Sequence, residues 1–369
     1  MFAAAPSRET LREAADHAHI LIGAAVRPAN LSELAYAATL AREFNMLEPE
    51  DALKWETLRP NSQTFDFHQA DQLVDFAKRH HMKVRGHTLV WHRQNPKWLT
   101  ERTYTPAELS RLLETHIKTV VGHYKGKVFA WDVANEAFDE GPRTGEPRNT
   151  IWSGMTITES PGPKSSPRPQ ASPDQARSKL AAQSSKLAYL AQAFRWAREA
   201  DPQALLFYNE AEADEVNKKS DAIYAMIRDF KRQGVPIDGV GLQMHIEKPP
   251  DVASISANIA RFTALGVQVH ITEFDVSLPV DTNGDAMPAD LQKQADIYRQ
   301  IAEACLAHPG CTAIQTWGFT DRYSWIGSHS KKTRGAALPF DRNYQPKPAR
   351  EALIKAFSGA SNSVSNQGH

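Results

Sequence analysis

Two glutamates follow hydrophobic stretches of the sequence, and each belongs to a short run of polar and aromatic residues. Glu136 ends the run WDVANE at 131–136, and Glu273 lies in the run ITEFD at 271–275. Two facing carboxyl groups can cleave a glycosidic bond, because one protonates the departing oxygen while the other attacks the sugar or activates water. The two runs therefore predict a carboxylate pair for glycoside hydrolysis, if the fold brings them together.

The elements that must position this pair alternate along the chain. Short apolar runs rich in β-formers predict eight strands, and helix-period segments follow each of them. The predicted strands are His19–Val26, Asn45–Glu48, Lys83–Val90, Val128–Val133, Ala204–Tyr208, Gly239–Gln243, Gln268–Glu273 and Thr312–Trp317.

Eight β–α pairs favour an α/β fold with a single (β/α)8 TIM barrel over a doubly wound sheet, which more often has five to seven strands. Neither a GxGxxG nor a GxxxxGK[ST] loop occurs, which also disfavours nucleotide binding. In such a barrel the active site lies at the C-terminal face of the strands. Glu136 follows the fourth strand and Glu273 ends the seventh, so the two can face each other across the mouth of the barrel.

Aromatic residues stand at the same predicted strand ends. Trp91 follows the third strand, Trp317 closes the eighth, and Trp325 lies in the loop beyond. A single tryptophan more often packs in a core, but three at strand ends favour a cleft in which indoles stack on sugar faces.

Histidines leave a metal site as an alternative. His87, His92 and His245 could join Glu273, since barrel metallohydrolases take ligands from strand ends. Five positions separate His87 from His92, whereas two ligands on one strand face are two positions apart. We therefore expect no metal and no cofactor.

Composition excludes several classes of partner. The chain has 369 residues, with 43 Lys and Arg against 43 Asp and Glu, so its charge gives no reason to expect nucleic acid or an anionic membrane as a partner. It contains no stretch of about 18 apolar residues, the minimum for a spanning helix. Met1–Thr10 is too short and polar for a signal peptide, so the protein is either intracellular or exported after removal of such a signal.

The domain organisation is predicted to be simple. Residues 1–10 form an N-terminal extension, 11–358 the catalytic barrel, and 359–369 a disordered tail. The Pro- and Ser-rich segment 159–178 is expected to be a mobile loop inserted after the fourth strand.

Several runs together resemble family 10 of the glycoside hydrolases, which are chiefly endo-β-1,4-xylanases. They lie in the expected order between about Leu11 and Phe357. The matching runs are GHTLVWH (86–92), WDVANE (131–136), DGVGLQMH (238–245), ITEFD (271–275), TWGFTD (316–321) and LPFD (338–341).

The resemblance implies a role for each matching residue. Glu136 would be the general acid/base and Glu273 the nucleophile of a retaining mechanism through a covalent glycosyl-enzyme, with Asn135 on the sugar 2-hydroxyl. We expect the charge of Glu273 to raise the pKa of Glu136. The other implied substrate-binding and orienting residues are His245 and Gln243 beside Glu273, His87, Trp91 and Gln94 next to the cleaved bond, Glu50 and Lys54 one sugar further out, and Trp317 and Trp325 on the floor and wall.

The sequence departs from the family pattern at a few positions. Asp51 replaces a usual Asn, Arg93 a small polar residue, and Ile326 a common Arg. The run after the fifth strand lacks a second aromatic near Ala211, and segment 159–178 is longer than expected. These changes bear on substrate length and decoration, because none affects the catalytic pair.

The resemblance also implies a disulfide between Cys305 and Cys311, which favours a secreted or periplasmic protein. We expect a monomer that acts on xylan and xylo-oligosaccharides. The resemblance implies xylan over cellulose, because the cleft of this family sterically disfavours the C6 hydroxymethyl group of glucose. The alternatives are a barrel cellulase or mixed-linkage glucanase, and a catalytically inactive barrel of a xylan-binding or inhibitor type, which the presence of both glutamates opposes.

Overall fold

A closed barrel of eight parallel strands forms the centre of the protein. The computed structural model describes residues 8–155 and 175–365. Each strand pairs with the next along the chain, and the eighth pairs with both the seventh and the first. In chain order, the strands are β1 Leu21–Val26, β2 Met46–Pro49, β3 Lys83–Val90, β4 Ala130–Asn135, β5 Leu205–Glu210, β6 Gly239–Leu242, β7 Gln268–Val276 and β8 Cys311–Thr316. The predicted (β/α)8 barrel is confirmed.

One long helix follows each strand and covers the outside of the barrel. These helices are Leu34–Glu43, His68–Arg79, Pro106–His123, Gln175–Ala200, Lys218–Arg232, Val252–Ala264, Pro288–Leu306 and Pro348–Ser365. The shorter helices are Leu11–His17, Pro28–Ser32, Trp55–Leu58, Lys97–Thr100, Ile151–Gly154, Asp321–Tyr323 and Ile326–His329. Two-residue strands outside the barrel are His245–Ile246, Leu278–Pro279 and Arg334–Gly335.

Local sequence explains where several helices begin. Pro106 and Pro288 occupy the first turn of their helices, where a missing N–H costs nothing. Thr105 caps the first of these: its side chain accepts from the Glu108 amide, and the Glu108 carboxylate accepts from the Thr105 amide. This reciprocal pair satisfies two amides that no helical carbonyl can reach.

Two predicted loop boundaries differ from the structure. Helix Gln175–Ala200 includes the last four residues of the predicted insertion 159–178, whose other residues lie outside the described ranges. The tail predicted to be disordered from residue 359 is helical as far as Ser365. Adding residues to an existing helix is much easier than starting one, so the packed turns around Phe357 extend into it. Of the predicted N-terminal extension 1–10, only residues 8–10 are described, and Thr10 caps helix Leu11–His17.

Two further features bear on the sequence predictions. The disulfide implied by the resemblance joins Cys305, at the end of helix Pro288–Leu306, to Cys311 at the start of β8. No helix within residues 8–155 and 175–365 has the length and apolarity that crossing a membrane would require.

Candidate active site

The two predicted catalytic glutamates lie at the C-terminal mouth of the barrel, and a third strand end links them. Glu136 and Asn135 stand at the end of β4, and Glu273 stands near the end of β7. Asn209, in β5, donates from Nδ2 to Glu273 Oε1 at 2.8 Å, and this nitrogen lies 3.0 Å from the Asn135 side-chain amide. The barrel therefore brings the two runs together.

Glu136 is held by two donors from other strand ends. Gln243 Nε2 donates to Glu136 Oε1 at 3.0 Å and lies 3.2 Å from the Asn135 amide. Trp91 Nε1 donates to Glu136 Oε2 at 2.9 Å. Contacts therefore run without interruption from Glu136 through Gln243, Asn135 and Asn209 to Glu273, so the positions of the carboxylates depend on each other.

The pKa of Glu136 differs from the sequence expectation. Burial raises it, but the hydrogen bonds from Gln243 and Trp91 and the charges of His92 and Arg93 outweigh burial and lower it below its ordinary value. We expected Glu273 to raise this pKa, and that prediction is wrong for the free enzyme. The cause is that both carboxylate oxygens already accept hydrogen bonds, which stabilise the charged form.

His245 contacts Glu273, the residue that the resemblance implies it orients. Its Nε2 lies 3.1 Å from Glu273 Oε2, and its Nδ1 lies 2.9 Å from Asp275 Oδ2. Burial lowers the pKa of His245, but the charge and hydrogen bond of Asp275, together with Glu273, raise it well above its ordinary value. Both ring nitrogens therefore face carboxyl oxygens, an arrangement that favours the protonated ring. Trp325 Nε1 also donates to Asp275 Oδ2, at 2.9 Å, which fixes this wall of the mouth.

A buried charged cluster lies beneath the site. Arg85 Nε lies 3.1 Å from Asp132 Oδ2 and 3.3 Å from Glu48 Oε2, and His87 Nδ1 lies 3.0 Å from Asp132 Oδ2. Burial raises the pKa of Glu48 to about 8, against the opposing charge of His87. His87 is 1% exposed and 5.4 Å from the ring of Trp317, so it supports the floor of the cleft.

The structure does not assemble the alternative metal site. Of the three histidines, only His245 contacts Glu273. His92 lies 4.0 Å from the other glutamate, Glu136, and His87 belongs to the buried cluster, so the three do not converge on one ion. Ligand atoms of Glu48, His87 and Asp132 do lie within 4.8 Å of one another. The guanidinium of Arg85 already supplies this group with a cation.

Further along the mouth, a second group of charges surrounds Glu50 and Lys54. Asp51 Oδ1 accepts from Lys54 Nζ at 3.2 Å and from Gln94 Nε2 at 3.3 Å. Arg27 bridges both acids, 2.6 Å from Glu50 Oε1 and 3.2 Å from Asp51 Oδ2. Burial raises the pKa of Asp51, but Lys54 and Arg27 outweigh it and lower the pKa, so Asp51 is a carboxylate.

Indole rings flank this group. Lys54 Nζ lies 4.8 Å from the ring centre of Trp91 and 5.5 Å from that of Trp317. Trp91, Trp317 and Trp325 are all partly exposed. Partly exposed indoles beside ammonium and carboxylate groups suit a sugar, which offers both apolar faces and hydroxyl groups.

Comparison with known proteins agrees with this geometry. The model of glycosyl hydrolase family 10 matches residues 10–159 and 168–356. The chain belongs to this family. It is therefore a glycoside hydrolase, as the facing carboxylates predicted. The match passes over residues 160–167, inside the segment interpreted as an insertion.

Individual relatives in family 10 cover most of the chain. Endo-1,4-beta-xylanase B of Thermotoga neapolitana is 42% identical over 86% of this chain and 82% of its own length. A beta-1,4-xylanase of Dictyoglomus thermophilum is 37% identical over 91% and 88%. The crystal structure of xylanase 10B from Thermotoga petrophila RKU-1 in complex with xylobiose has a TM-score of 0.84 and 40% identity, covering 97% of this chain and 100% of the other.

The departures from the family 10 pattern have local partners. Arg93 donates to Glu140 Oε1 at 2.6 Å, and this pair is exposed. Ile326 packs with Leu338 beneath Trp325. Ala211 contributes its carbonyl, which accepts from Lys219 Nζ at 3.1 Å.

Sequence reasoning missed several residues of this family 10 site. Neither Asn209 nor Asp275 was given a role, although both stand at the ends of predicted strands. That position is the signal that could have identified them. Gly241 was also missed: a Cβ there would lie 2.1 Å from Asn209 Oδ1, so only glycine leaves room for that amide. No sequence pattern predicts this close approach of the Gly241 backbone to the Asn209 side chain.

Proposed function

We propose that the enzyme is an endo-β-1,4-xylanase that cleaves internal bonds of xylan with net retention. The names of its relatives and the xylobiose bound by a structural neighbour support the substrate. The observation that carries the mechanism is the continuous set of contacts that joins Glu136 to Glu273 across the mouth.

The reaction proceeds in two displacements at the anomeric carbon. In the first, Glu273 attacks the anomeric carbon, the bond between that carbon and the glycosidic oxygen breaks, and protonated Glu136 gives its proton to that oxygen. In the second, water attacks the glycosyl ester, Glu136 takes the proton of the water, and Glu273 leaves as a carboxylate. Each displacement inverts the carbon, so the product retains its configuration.

The surrounding residues make the two glutamates unequal. Glu273 accepts from Asn209 and faces the ring of His245, whose protonated form stabilises the negative charge that Glu273 regains in the second step. Glu136 accepts from Trp91 and Gln243 in the free enzyme. A sugar bound beside Glu136 displaces one of these donors; Glu136 then takes up a proton from water, and its O–H donates to the glycosidic oxygen.

Apart from His87 in the buried cluster and from Gln243 and His245 on the glutamates, the remaining predicted residues bind the sugar chain. Asn135 hydrogen-bonds the 2-hydroxyl at the cleavage position, where the interaction strengthens in the transition state. Glu50 and Lys54 bind the next sugar, beside Asp51 and Gln94. Trp91, Trp317 and Trp325 stack on or enclose the rings, so the described contacts are concentrated on the non-reducing side of the cleaved bond.

One comparison of substrates tests this proposal. Purified enzyme should release reducing sugar from xylan, and much less from carboxymethylcellulose. The first product detected by NMR should be the β-anomer, and a chelator should leave the rate unchanged. A higher rate on carboxymethylcellulose would favour a glucanase, an α-anomer would refute retention, and no reducing sugar from either polymer would favour a binding protein.

We also propose that the protein acts outside the cytoplasm, as a monomer. The disulfide between Cys305 and Cys311 supports export, because disulfides seldom persist in a reducing cytoplasm. A polymeric substrate that cannot enter cells agrees with it. Immunoblots of cell fractions and of medium test the location, and light scattering tests the oligomeric state.

A further inference from the structure

The backbone at Glu136 has an unusual conformation that must be maintained by its surroundings. Its φ is +53°, in the left-handed region, which residues with a Cβ seldom adopt. Such conformations persist only where neighbouring contacts hold them. The contacts that hold this one therefore help to aim the Glu136 side chain.

Three successive amides at this bend donate to the same strand, β5. The Glu136 amide donates to the carbonyl of Asn209 at 3.0 Å. The Ala137 amide donates to Tyr208 Oη at 3.0 Å, and the Phe138 amide donates to Glu210 Oε2 at 3.2 Å. The first contact continues the sheet, whereas the other two depend on side chains.

These side chains form a buried cluster of Tyr208, Glu210 and Lys219. Tyr208 Oη donates to Glu210 Oε2 at 2.5 Å, and Lys219 Nζ donates to Glu210 Oε1 at 3.2 Å. Glu210 is 0% and Lys219 1% exposed. Since the Ala211 amide also donates to Glu210 Oε1, each carboxylate oxygen accepts two hydrogen bonds and the group is fixed in place.

Stability alone gives a weak reason for such a cluster. Removing two charges from water costs about as much as their attraction returns, so a buried ion pair contributes little net stability. Burial raises the pKa of Glu210 to about 7, while Lys219 opposes that rise. What the charged cluster does provide is a rigid pair of acceptors facing the two amides that follow Glu136.

We propose that Tyr208, Glu210 and Lys219 are positioning residues for the catalytic acid. They act through the amides of Ala137 and Phe138 and so hold the bend from which the Glu136 side chain projects. The inference rests on the proposed function, in which Glu136 protonates the leaving group. A displacement of about 1 Å at a reacting group can cost about a hundredfold in rate, so loss of this support should impair protonation.

The test compares Tyr208→Phe with a matched control, Tyr298→Phe. The first change removes the acceptor of the Ala137 amide. The second removes a buried hydroxyl that donates to the Ala337 carbonyl at 2.9 Å and takes no part in the contacts of the Ala137 and Phe138 amides. Each variant is assayed on phenyl xylobioside, whose leaving group needs protonation, and on 2,4-dinitrophenyl xylobioside, whose leaving group does not. The readout is kcat/KM, which reports the first chemical step.

Tyr208→Phe should lower kcat/KM on phenyl xylobioside about tenfold or more, and change that on the dinitrophenyl substrate by less than about threefold. The control should preserve both values. Glu210→Gln should show the same selective loss, because an amide nitrogen cannot accept from the donors that surround that site.

Equal losses on the two substrates, or no loss, in folded Tyr208→Phe would overturn the positioning role, whatever happens to its melting temperature. Failure of the wild-type enzyme to cleave either substrate would overturn the proposed function itself. The two failures are distinguishable because the wild type is measured separately.

Discussion

Gly241→Ala is expected to disable the enzyme while leaving it folded. An added Cβ would lie 2.1 Å from Asn209 Oδ1 and 2.9 Å from Thr272 Cγ2. Ordinary contact begins at 3.4 Å, so the Asn209 amide must move by about 1.3 Å, the difference between 3.4 and 2.1 Å. That amide donates to Glu273 at 2.8 Å, and the movement would break or redirect the bond.

The size of the effect follows from this displacement. Loss of alignment by about 1 Å at a reacting group can cost about a hundredfold in rate, so kcat/KM should fall by about tenfold to a hundredfold. Overpacking a core costs about 1–3 kcal/mol. The melting temperature should therefore fall by several degrees without preventing folding.

Two glycine variants separate these effects. In Gly239→Ala, on the same strand, the new Cβ would lie 2.1 Å from Phe207, so it should destabilise the barrel with a smaller loss of rate. In Gly122→Ala the new Cβ meets no heavy atom within 4 Å beyond its own stretch of helix backbone, and both properties should be preserved. Initial rates on an aryl xylobioside and thermal melts provide the data. A folded Gly241→Ala protein with kcat/KM within twofold of the wild type would refute the reasoning.

Three other variants test the catalytic acid and the outer sugar site. Trp91→Phe removes a hydrogen bond that lowers the pKa of Glu136, so that pKa should rise. The alkaline limb of the pH profile of kcat/KM should then move to higher pH, and a shift to lower pH would contradict the assignment of Glu136 as the acid. Glu136→Ala should nearly abolish xylan cleavage but spare the first step on dinitrophenyl xylobioside, seen as a burst of phenol, and equal losses on both substrates would count against an acid role. Asp51→Asn removes a carboxylate that pairs with Lys54 and Arg27. KM for short xylo-oligosaccharides should therefore change, while kcat changes by less than about tenfold. A large loss of kcat at constant KM would show that Asp51 lies nearer the reaction.

Much of the fold was predictable because barrel strands and their helices carry local signals. The observed bounds of β3 coincide with the predicted Lys83–Val90. Buried apolar runs, proline in the first helical turn and polar residues after each strand are all visible in the sequence. The helical continuation beyond residue 359 was not, because the packed residues before it extend the helix.

That the two glutamates meet at the barrel mouth was predictable from their motifs, but their environment was not. Which side chains reach Glu136 depends on strand register, which places Gln243 and Trp91 at 3.0 and 2.9 Å although they are distant in sequence. For the same reason the direction of the Glu136 pKa shift was predicted wrongly. The link through Asn209 depends on the space at Gly241, and that space exists only in the closed barrel.

The central claim is that Glu273 is the nucleophile of a retaining mechanism, and chemical rescue tests it most directly. Glu273→Ala should fold and lose activity by several orders of magnitude, because no covalent intermediate can form. Azide added with an activated aryl xylobioside should restore turnover and yield the α-xylobiosyl azide, since the small anion attacks from the side that the carboxylate occupied. Formation of the β-azide would contradict the assignment of the two glutamates.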